Sequence, residues 1–272
     1  MRRSTTADNR KDGKRFTVRK GTAAKAGTGF RIWAIVFWLV VWQLTSMALG
    51  QEILLVSPVS VLLRLGTLIR TLAFWHAVSF SFIRIVGGFV LALLAGVLFA
   101  ALSFCFSWFR ELLHPLMAVI KATPVASFII LCLVWIPSRG LSVFISFLMV
   151  LPIIYTNVLE GIHHTDRQLL EMAEIFRVRG LRRMRYIYFS QVMPYFRSAC
   201  GVSLGLCWKS GIAAEVIGMP DGSIGDMLYQ AKIYLDTPDL FAWTFVIILV
   251  SVLFGKVFMK LLDTAIHAIE RS

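Results

Sequence analysis

Charge is scarce in this chain. Only 16% of its 272 residues are Asp, Glu, Lys or Arg, and the acidic ones are the rarer, 15 against 28 basic. With 58% hydrophobic residues and a mean hydropathy of +0.75, this excludes an ordinary soluble domain, in which about a quarter of residues are charged. Cysteine is scarce as well. The four, Cys105, Cys132, Cys200 and Cys207, lie in or beside apolar runs without the paired spacing of a metal site, so buried thiols are expected. His163-His164 lacks the carboxylate and second-histidine spacing of a zinc helix and reads as an interfacial polar pair. A Walker A run is missing too. Lys209-Ser210 echoes its end, but Trp208 stands where the glycine is needed. Glu160, His163, His164 and Glu215 do not cluster in sequence, which argues against an intramembrane enzyme. The halves show no internal repeat of the kind that marks many ion-coupled carriers.

What is present is a series of apolar blocks: Ile32 to Leu49, Val78 to Phe104, Leu116 to Ile136, Leu141 to Leu159, Ala199 to Ile217 and Leu240 to Leu262. Each is near the roughly 20 residues that carry a helix across the hydrocarbon layer. None alternates as the short strands of a membrane barrel do. The sequence therefore predicts an all-α, polytopic membrane protein with six transmembrane helices. The net charge of +13 does not point to nucleic acid, because most of the basic residues crowd into two places: before the first span, and between Arg167 and Arg185 after the fourth. With six spans both places fall on one side of the membrane. The loop after the fifth span holds Asp221, Asp226, Asp236 and Asp239 against Lys232, so the positive-inside rule turns it outward. Both termini and the basic loop are then cytoplasmic.

Residues 1–30 mix glycine, threonine and basic residues with too little apolar content to fold, and read as a flexible tail against anionic lipid. The competing reading is a signal peptide cleaved near Ser46-Met47-Ala48. Against it stand a long basic region and an apolar run longer than the roughly 7 to 15 residues of a signal core. Residues 31–272 form the membrane domain. Ser57-Pro58 opens a short amphipathic helix with Val61, Leu62, Leu65, Leu68, Ile69 and Leu72 at helical spacing, suited to the outer interface. Gly218 to Gly225 reads as an outward turn. Gly88, Ala92, Gly96 and Ala100 recur in steps of four, as do Gly201 and Gly205; such stripes let helices approach closely, within a bundle, at a dimer contact or along a pore. Among ionisable residues in the spans, Arg84 and Lys121 are near enough to span ends to snorkel. Lys209 and Glu215 are not, and six residues apart they point about 120° from each other. Each is expected to face the bundle interior or water, lining a pathway or pairing with another helix.

The loop at about 160–190 carries the densest pattern. Thr165 and Gln168 have the form of a capping box. Leu169, Met172, Ala173 and Phe176 make one apolar face, with Arg167, Glu171 and Glu174 elsewhere. After Gly180, Leu181, Met184 and Tyr188 form a second face among Arg182, Arg183 and Arg185. Two short helices joined by a turn are expected, either a docking knob or a lid on anionic headgroups.

From about Leu54 to Glu270 the chain resembles the inner-membrane permeases of binding-protein-dependent ABC importers, most closely the nitrate, sulfonate and taurine branch. The features recur in order: Leu55-Val56-Ser57-Pro58, Ser81 and Arg84, Lys121 and Pro124, Glu171-Met172-Ala173, Pro194-Tyr195-Phe196, Trp208, Ala213-Ala214-Glu215 and Gly222-Ser223-Ile224-Gly225. The resemblance implies a type I importer permease fold in a bacterial inner membrane, working as a homodimer by alternating access. It implies a cytoplasmic ATPase partner that holds the ATP and Mg, with no cofactor on this chain, and an extracytoplasmic substrate-binding protein. Glu171, Met172, Ala173, Glu174, Arg177 and Gly180 would then form the ATPase-docking surface. Lys209, Glu215, Trp208 and Pro124 are the candidates for the substrate pathway. The sequence departs from the family where Arg177 replaces a glycine six places after the glutamate, and where Phe189-Ser190 replaces a leucine-proline pair. A small oxyanion such as nitrate, a sulfonate or taurine is the expected cargo; a thiamine-precursor-like or other small organic nutrient is the alternative, and an ion-coupled carrier a more distant one.

Overall fold

The computed structural model describes residues 32–50, 55–178 and 180–271, and the basic segment 1–30 lies outside them. The chain divides into two units, Met1–Val40 and Val41–Ser272; all that follows concerns the second unless stated. The described residues are helical and turn-linked. Helix α1 (Ile32–Leu49) crosses the unit boundary, and α2 (Pro58–Leu68) follows it. Next come α3 (Leu72–Cys105), α4 (Ser107–Ala122), α5 (Val125–Cys132) and α6 (Ser138–His163). The basic loop holds α7 (Arg167–Ile175) and α8 (Leu181–Arg183), a π-helical turn (Met184–Tyr188) and the start of α9 (Phe189–Gly218). Helices α10 (Ile224–Ile233) and α11 (Thr237–Arg271) complete the chain.

Among the described residues, four helices are long and apolar enough to cross a membrane: α3, α6, Met184–Gly218 and Thr237–Ile269. The expected third span is not one rod. Helices α4 and α5 meet at a bend of 107° and count as a single broken span at most. The cause is local. Pro124 has no N–H to give to the ladder, and it drives Thr123 into extended backbone (ψ 128°), which ends α4. Helix α1 is apolar, but its stretch Trp33–Leu49 is shorter than the four spanning helices. The described structure thus supports four to five of the six predicted spans.

Two short helices attach to the bundle by sequence-coded caps. Helix α2 starts where Ser57 accepts a hydrogen bond from Ser60 N and proline occupies the first turn, as expected from Ser57-Pro58. Its Arg64 forms a two-pronged ion pair with Asp239 of α11, with Nη2 to Oδ2 at 2.9 Å. That hydrogen bond lifts the guanidinium further above its usual pKa. The expected turn is there at 219–223, and it opens into helix α10, where the sequence reading has only a loop. Ser223 accepts from Asp226 N at 3.0 Å and starts it.

Helix α6 is the centre of the bundle, with α3 on one side and α9 on the other. The stripe Gly88, Ala92, Gly96 and Ala100 is buried and faces α6. A Cβ on Gly88 would run into the Val143 carbonyl, and one on Gly96 would lie 2.8 Å from Ile154 Cβ. Helix α9 closes in the same way: a Cβ on Gly211 would sit 2.6 Å from Ser146 Oγ and 2.7 Å from Ile85 Cγ1. In lipid, where apolar side chains gain little by leaving their surroundings, such backbone approach is a main source of association energy. Within the chain the α3 stripe is therefore a packing seam between its own helices.

Substituting Gly96→Ala is expected to cost about 1–3 kcal/mol by overpacking. Gly87→Ala, whose added carbon meets nothing within 4 Å, is expected to leave thermal unfolding in detergent unchanged or slightly higher. Equal melting of the two variants would refute the seam.

Candidate functional site

The docking candidate is α7 and its flanks. Asp166, not Thr165, caps the helix: its carboxylate accepts from Gln168 N at 2.8 Å, while Thr165 Oγ1 turns back to the Gly161 carbonyl at 3.4 Å. The expected capping box is therefore displaced by one residue, because the acidic cap is the stronger acceptor for the helix N-terminus. Of the predicted apolar face, Ala173 is buried, Leu169 is half-buried, and Met172 and Phe176 are exposed. Ile175 and Phe176 are 78% and 72% exposed, so the tip presents large apolar side chains to whatever lies beyond it. Glu171 and Glu174 are exposed beside them. Glu171 pairs with Arg167 at 3.3 Å, a solvent-screened contact that contributes little to folding.

The end of α7 explains Arg177. Its φ is +54°, in the left-handed region. Arg177 N donates to the Glu174 carbonyl at 3.0 Å, and Val178 N to that of Ala173 at 2.8 Å. This is the two-bond Schellman closure, whose pivot is normally glycine. The turn thus has the geometry that suits the family's glycine, with arginine held in it, and Gly180 (φ +63°) turns the chain again three residues later.

The expected second short helix is not a separate element. Helix α8 runs through the π-helical turn into α9, with Arg183 and Phe189 both in right-handed helical backbone. After Gly180 the sequence offers no breaker strong enough to stop the helix before Met219, and Pro194 is absorbed within α9. The Phe189-Ser190 pair lies inside this rod.

About 40 Å along α9 from its start, Glu215 is fully buried in a polar cluster. Ser81 Oγ of α3 donates to Glu215 Oε2 at 2.6 Å, and Gly225 N donates to the same oxygen at 3.4 Å. Ser81 Oγ in turn accepts from Ile224 N at 3.0 Å. One serine and one carboxylate therefore satisfy the first amides of α10 and tie α3, α9 and α10 together. Gly225 is needed there, since a Cβ would overlap the main chain of Glu215. Arg84 does not simply snorkel. Its guanidinium carbon lies 3.6 Å from the Phe80 ring centroid, and its Nη1 is buried with no hydrogen-bond partner among the described residues, as is Glu215 Oε1.

The four pathway candidates are not gathered in one place. Trp208 and Glu215 lie in the core, Trp208 between Phe82 and Phe254. Lys209 is exposed on the other side of α9, along a strip with Gly201, Val202 and Gly205. The two glycines of that strip have open space in front of them. Pro124 is exposed at the α4–α5 break, where Lys121 Nζ donates to Thr156 Oγ1 at 3.3 Å. In the loop after α9, Asp226 is used locally, accepting from Gly222 N and Gln230, while Asp221 is exposed. Sequence reasoning had singled out Ser81, Glu215 and the Gly222 to Gly225 run separately. Their union was not readable, because nothing in linear spacing brings residues 81, 215 and 225 together.

Two substitutions test these local accounts. Ser81→Ala removes a donor to a buried carboxylate and an acceptor for Ile224 N, and is expected to cost about 1–3 kcal/mol; unchanged melting would remove the clasp. Arg177→Gly is expected to relieve roughly 1 kcal/mol of left-handed strain and to slow proteolysis within 166–180. Faster cleavage would contradict the turn.

Comparison with known proteins agrees with this architecture. The family described as binding-protein-dependent transport system inner membrane component matches residues 88–268. A relative named for aliphatic sulfonate transport, the permease protein SsuC of Escherichia coli, is 26% identical over 236 residues, covering 86% of each chain. The formylaminopyrimidine transport permease protein ThiX of Halalkalibacterium halodurans is 24% identical over 220 residues, 79% of this chain and 86% of its own. The bicarbonate transport system permease protein CmpB of Synechococcus elongatus is 22% identical over 159 residues, 58% of this chain and 57% of its own. With the family matched across most of its membrane helices, the chain belongs to the binding-protein-dependent inner-membrane components, the permeases of ABC importers, and resembles their nitrate, sulfonate and taurine branch.

Proposed function

We propose that this chain is the pathway-forming subunit of an ATP-driven importer and that it meets its ATPase through α7. The observation that carries the reading is the shape of that loop: a capped helix closed by a left-handed turn, with Glu171, Glu174, Met172, Ile175 and Phe176 exposed at its tip. Apolar side chains set among charges on an exposed tip suit a protein groove. Ala173 anchors the helix from its buried side, while Arg177 and Gly180 set the angle at which the chain leaves it. The continuous rod from α8 through α9 then gives a mechanical route from the docked loop into the membrane, so that rigid-body motion at α7 moves α9. ATP and Mg belong to the partner, and this chain needs no cofactor of its own.

In the assembled transporter we count α1 and the broken α4–α5 pair as spans, six in all, with both termini and α7 on the cytoplasmic side and α10 outside, facing the substrate-binding protein. Two copies face each other, and the exposed strip of α9 with Gly201, Gly205 and Lys209 turns toward the shared pathway. Lys209 and Lys121, both exposed on membrane helices, suit an anionic cargo, because a charge at that depth is costly unless it meets water or a counter-charge. A small oxyanion of the sulfonate, nitrate or bicarbonate kind is the cargo we favour. The comparable match to a formylaminopyrimidine permease supports a second reading, a thiamine-precursor-like nutrient.

Pull-down of the tagged chain from mild detergent tests the docking. An ATPase subunit is expected at about equal copy number, lost in Glu171→Lys without loss of membrane insertion. Lys209→Met is expected to alter transport while keeping the ATPase bound. A Glu171→Lys protein with normal uptake would end the docking assignment, and loss of the ATPase from Lys209→Met would give Lys209 a structural role.

A further inference from the structure

Two side chains of opposite charge are left incompletely matched beside the Glu215 clasp. Arg84 Nη1 and Glu215 Oε1 each lack a hydrogen-bond partner among the described residues and are shut off from solvent. Leaving such groups unmatched is costly, most of all when they are charged. The partner each lacks is close at hand. Ser81 Oγ donates to Glu215 Oε2 at 2.6 Å, and Arg84 follows Ser81 by three residues, on the same face of α3. The charges of Arg84 and Glu215 act on each other. Instead of joining the carboxylate, the guanidinium rests on the Phe80 ring, 3.6 Å from its centroid, as a cation–π contact. Ser142 of α6 stands beside the same carboxylate with its hydroxyl also unpaired among the described residues, and can share the oxygen without neutralising its charge. Exposed Arg139, at the start of α6, places a second positive charge near Arg84, which a move toward Glu215 would offset.

Phe80 is itself tied to the turn before α10. The His76 ring, one helical turn earlier on α3, lies 6.2 Å from the Phe80 ring, centroid to centroid. A carbon added to Gly222, in that turn, would lie 3.3 Å from the His76 ring. A ladder of His76, Phe80 and Arg84 therefore runs from the turn toward the clasp, so that movement of the turn reaches the ring on which the guanidinium lies. We propose that Arg84 and Glu215 are the two halves of a conformational switch. In the described conformation Glu215 holds α3 and α10 together through Ser81 and Gly225. In a second conformation the guanidinium leaves Phe80 for Glu215, and the carboxylate, now shared, relaxes its hold on α10. Helix α10 then has two modes of attachment to the bundle, as a chain that alternates between two states requires. The switch rests on the importer reading, which supplies that alternation.

The test uses the complex that the tagged chain retains in mild detergent, moved into phospholipid nanodiscs, with ATP hydrolysis as the readout. Arg84→Met keeps a side chain against Phe80 but loses the charge, and Glu215→Gln keeps an acceptor for Ser81. Both are expected to hold the ATPase at the parent's copy number. Each is expected to lower hydrolysis by about tenfold, through loss of one charge-assisted hydrogen bond in the second conformation. The double variant is expected to fall by the same factor and not by its square, because a pair is lost only once. Arg84→Lys, which restores the charge, is expected to recover most of the rate. If Glu215→Gln does not fold, the contrast of Arg84→Met with Arg84→Lys carries the test, with equal melting of the two chains expected. Parent-like hydrolysis in Arg84→Met would overturn the switch. So would losses that multiply in the double variant, or a methionine variant whose lost rate is accompanied by lower melting. A parent chain that retains no ATPase would instead overturn the importer reading, and the switch with it.

Discussion

The close approach of three helix backbones is the constraint on which the rest of the structure depends. In lipid a leucine gains little by leaving its neighbours for another helix, so contact must come from shape. Glycine at 88, 96 and 211 removes the side chains that would hold α3, α6 and α9 apart. Once they meet, Ser81 of α3 and Glu215 of α9 are within a hydrogen bond of each other. The buried carboxylate would be costly alone; it is tolerable because a hydroxyl and an amide reach it in a space from which water is excluded. The small residues of the seam and the polar cluster are therefore one device. The first brings the helices together, and the second fixes their register and attaches α10.

In the proposed transporter, helix α9 links the docking loop to this device. Its beginning is continuous with the loop that carries α7, and its end is gripped by Ser81, Gly225 and the bundle core. A rod held firmly at one end and joined to an exposed knob at the other suits the conversion of movement outside the membrane into tilt within it. The exposed strip with Lys209 lies on the side of the rod away from the clasp, so the same helix separates a packed face from a free one. The salt bridge from Arg197 to Asp263, with Nη2 to Oδ2 at 3.0 Å, gives α9 a further lateral tie to α11 near its start.

Much of this was legible in the sequence because membrane helices advertise themselves by uninterrupted apolar length. The helix starts at Ser57 and near Thr165 were legible from cap chemistry, the second to within one residue. The misses share a cause. Hydropathy measures side chains, so it joined Leu116 to Ile136 across Pro124, where the backbone in fact turns by 107°. Glycine and proline around 218 to 225 read as a turn, which is there at 219–223, but the acidic stretch beyond read only as a loop and hid α10, although Ser223 with Asp226 three residues on carried its cap. Arg177 was recognised as standing in a glycine's place, yet only the backbone angle could show that the turn there is left-handed. The clasp at Glu215 was invisible for a different reason: it is a long-range meeting of Ser81, Glu215 and Gly225, and one sequence holds no record of such meetings.

Reconstitution tests the central claim most directly. The chain would be placed in proteoliposomes with the ATPase recovered from its own membrane and with its binding protein, and uptake of labelled candidate oxyanions followed with ATP on the α7 side. The account predicts uptake that requires ATP and the binding protein and persists when ionophores collapse every ion gradient. Uptake by the chain alone, driven by an ion gradient and indifferent to ATP, would contradict it.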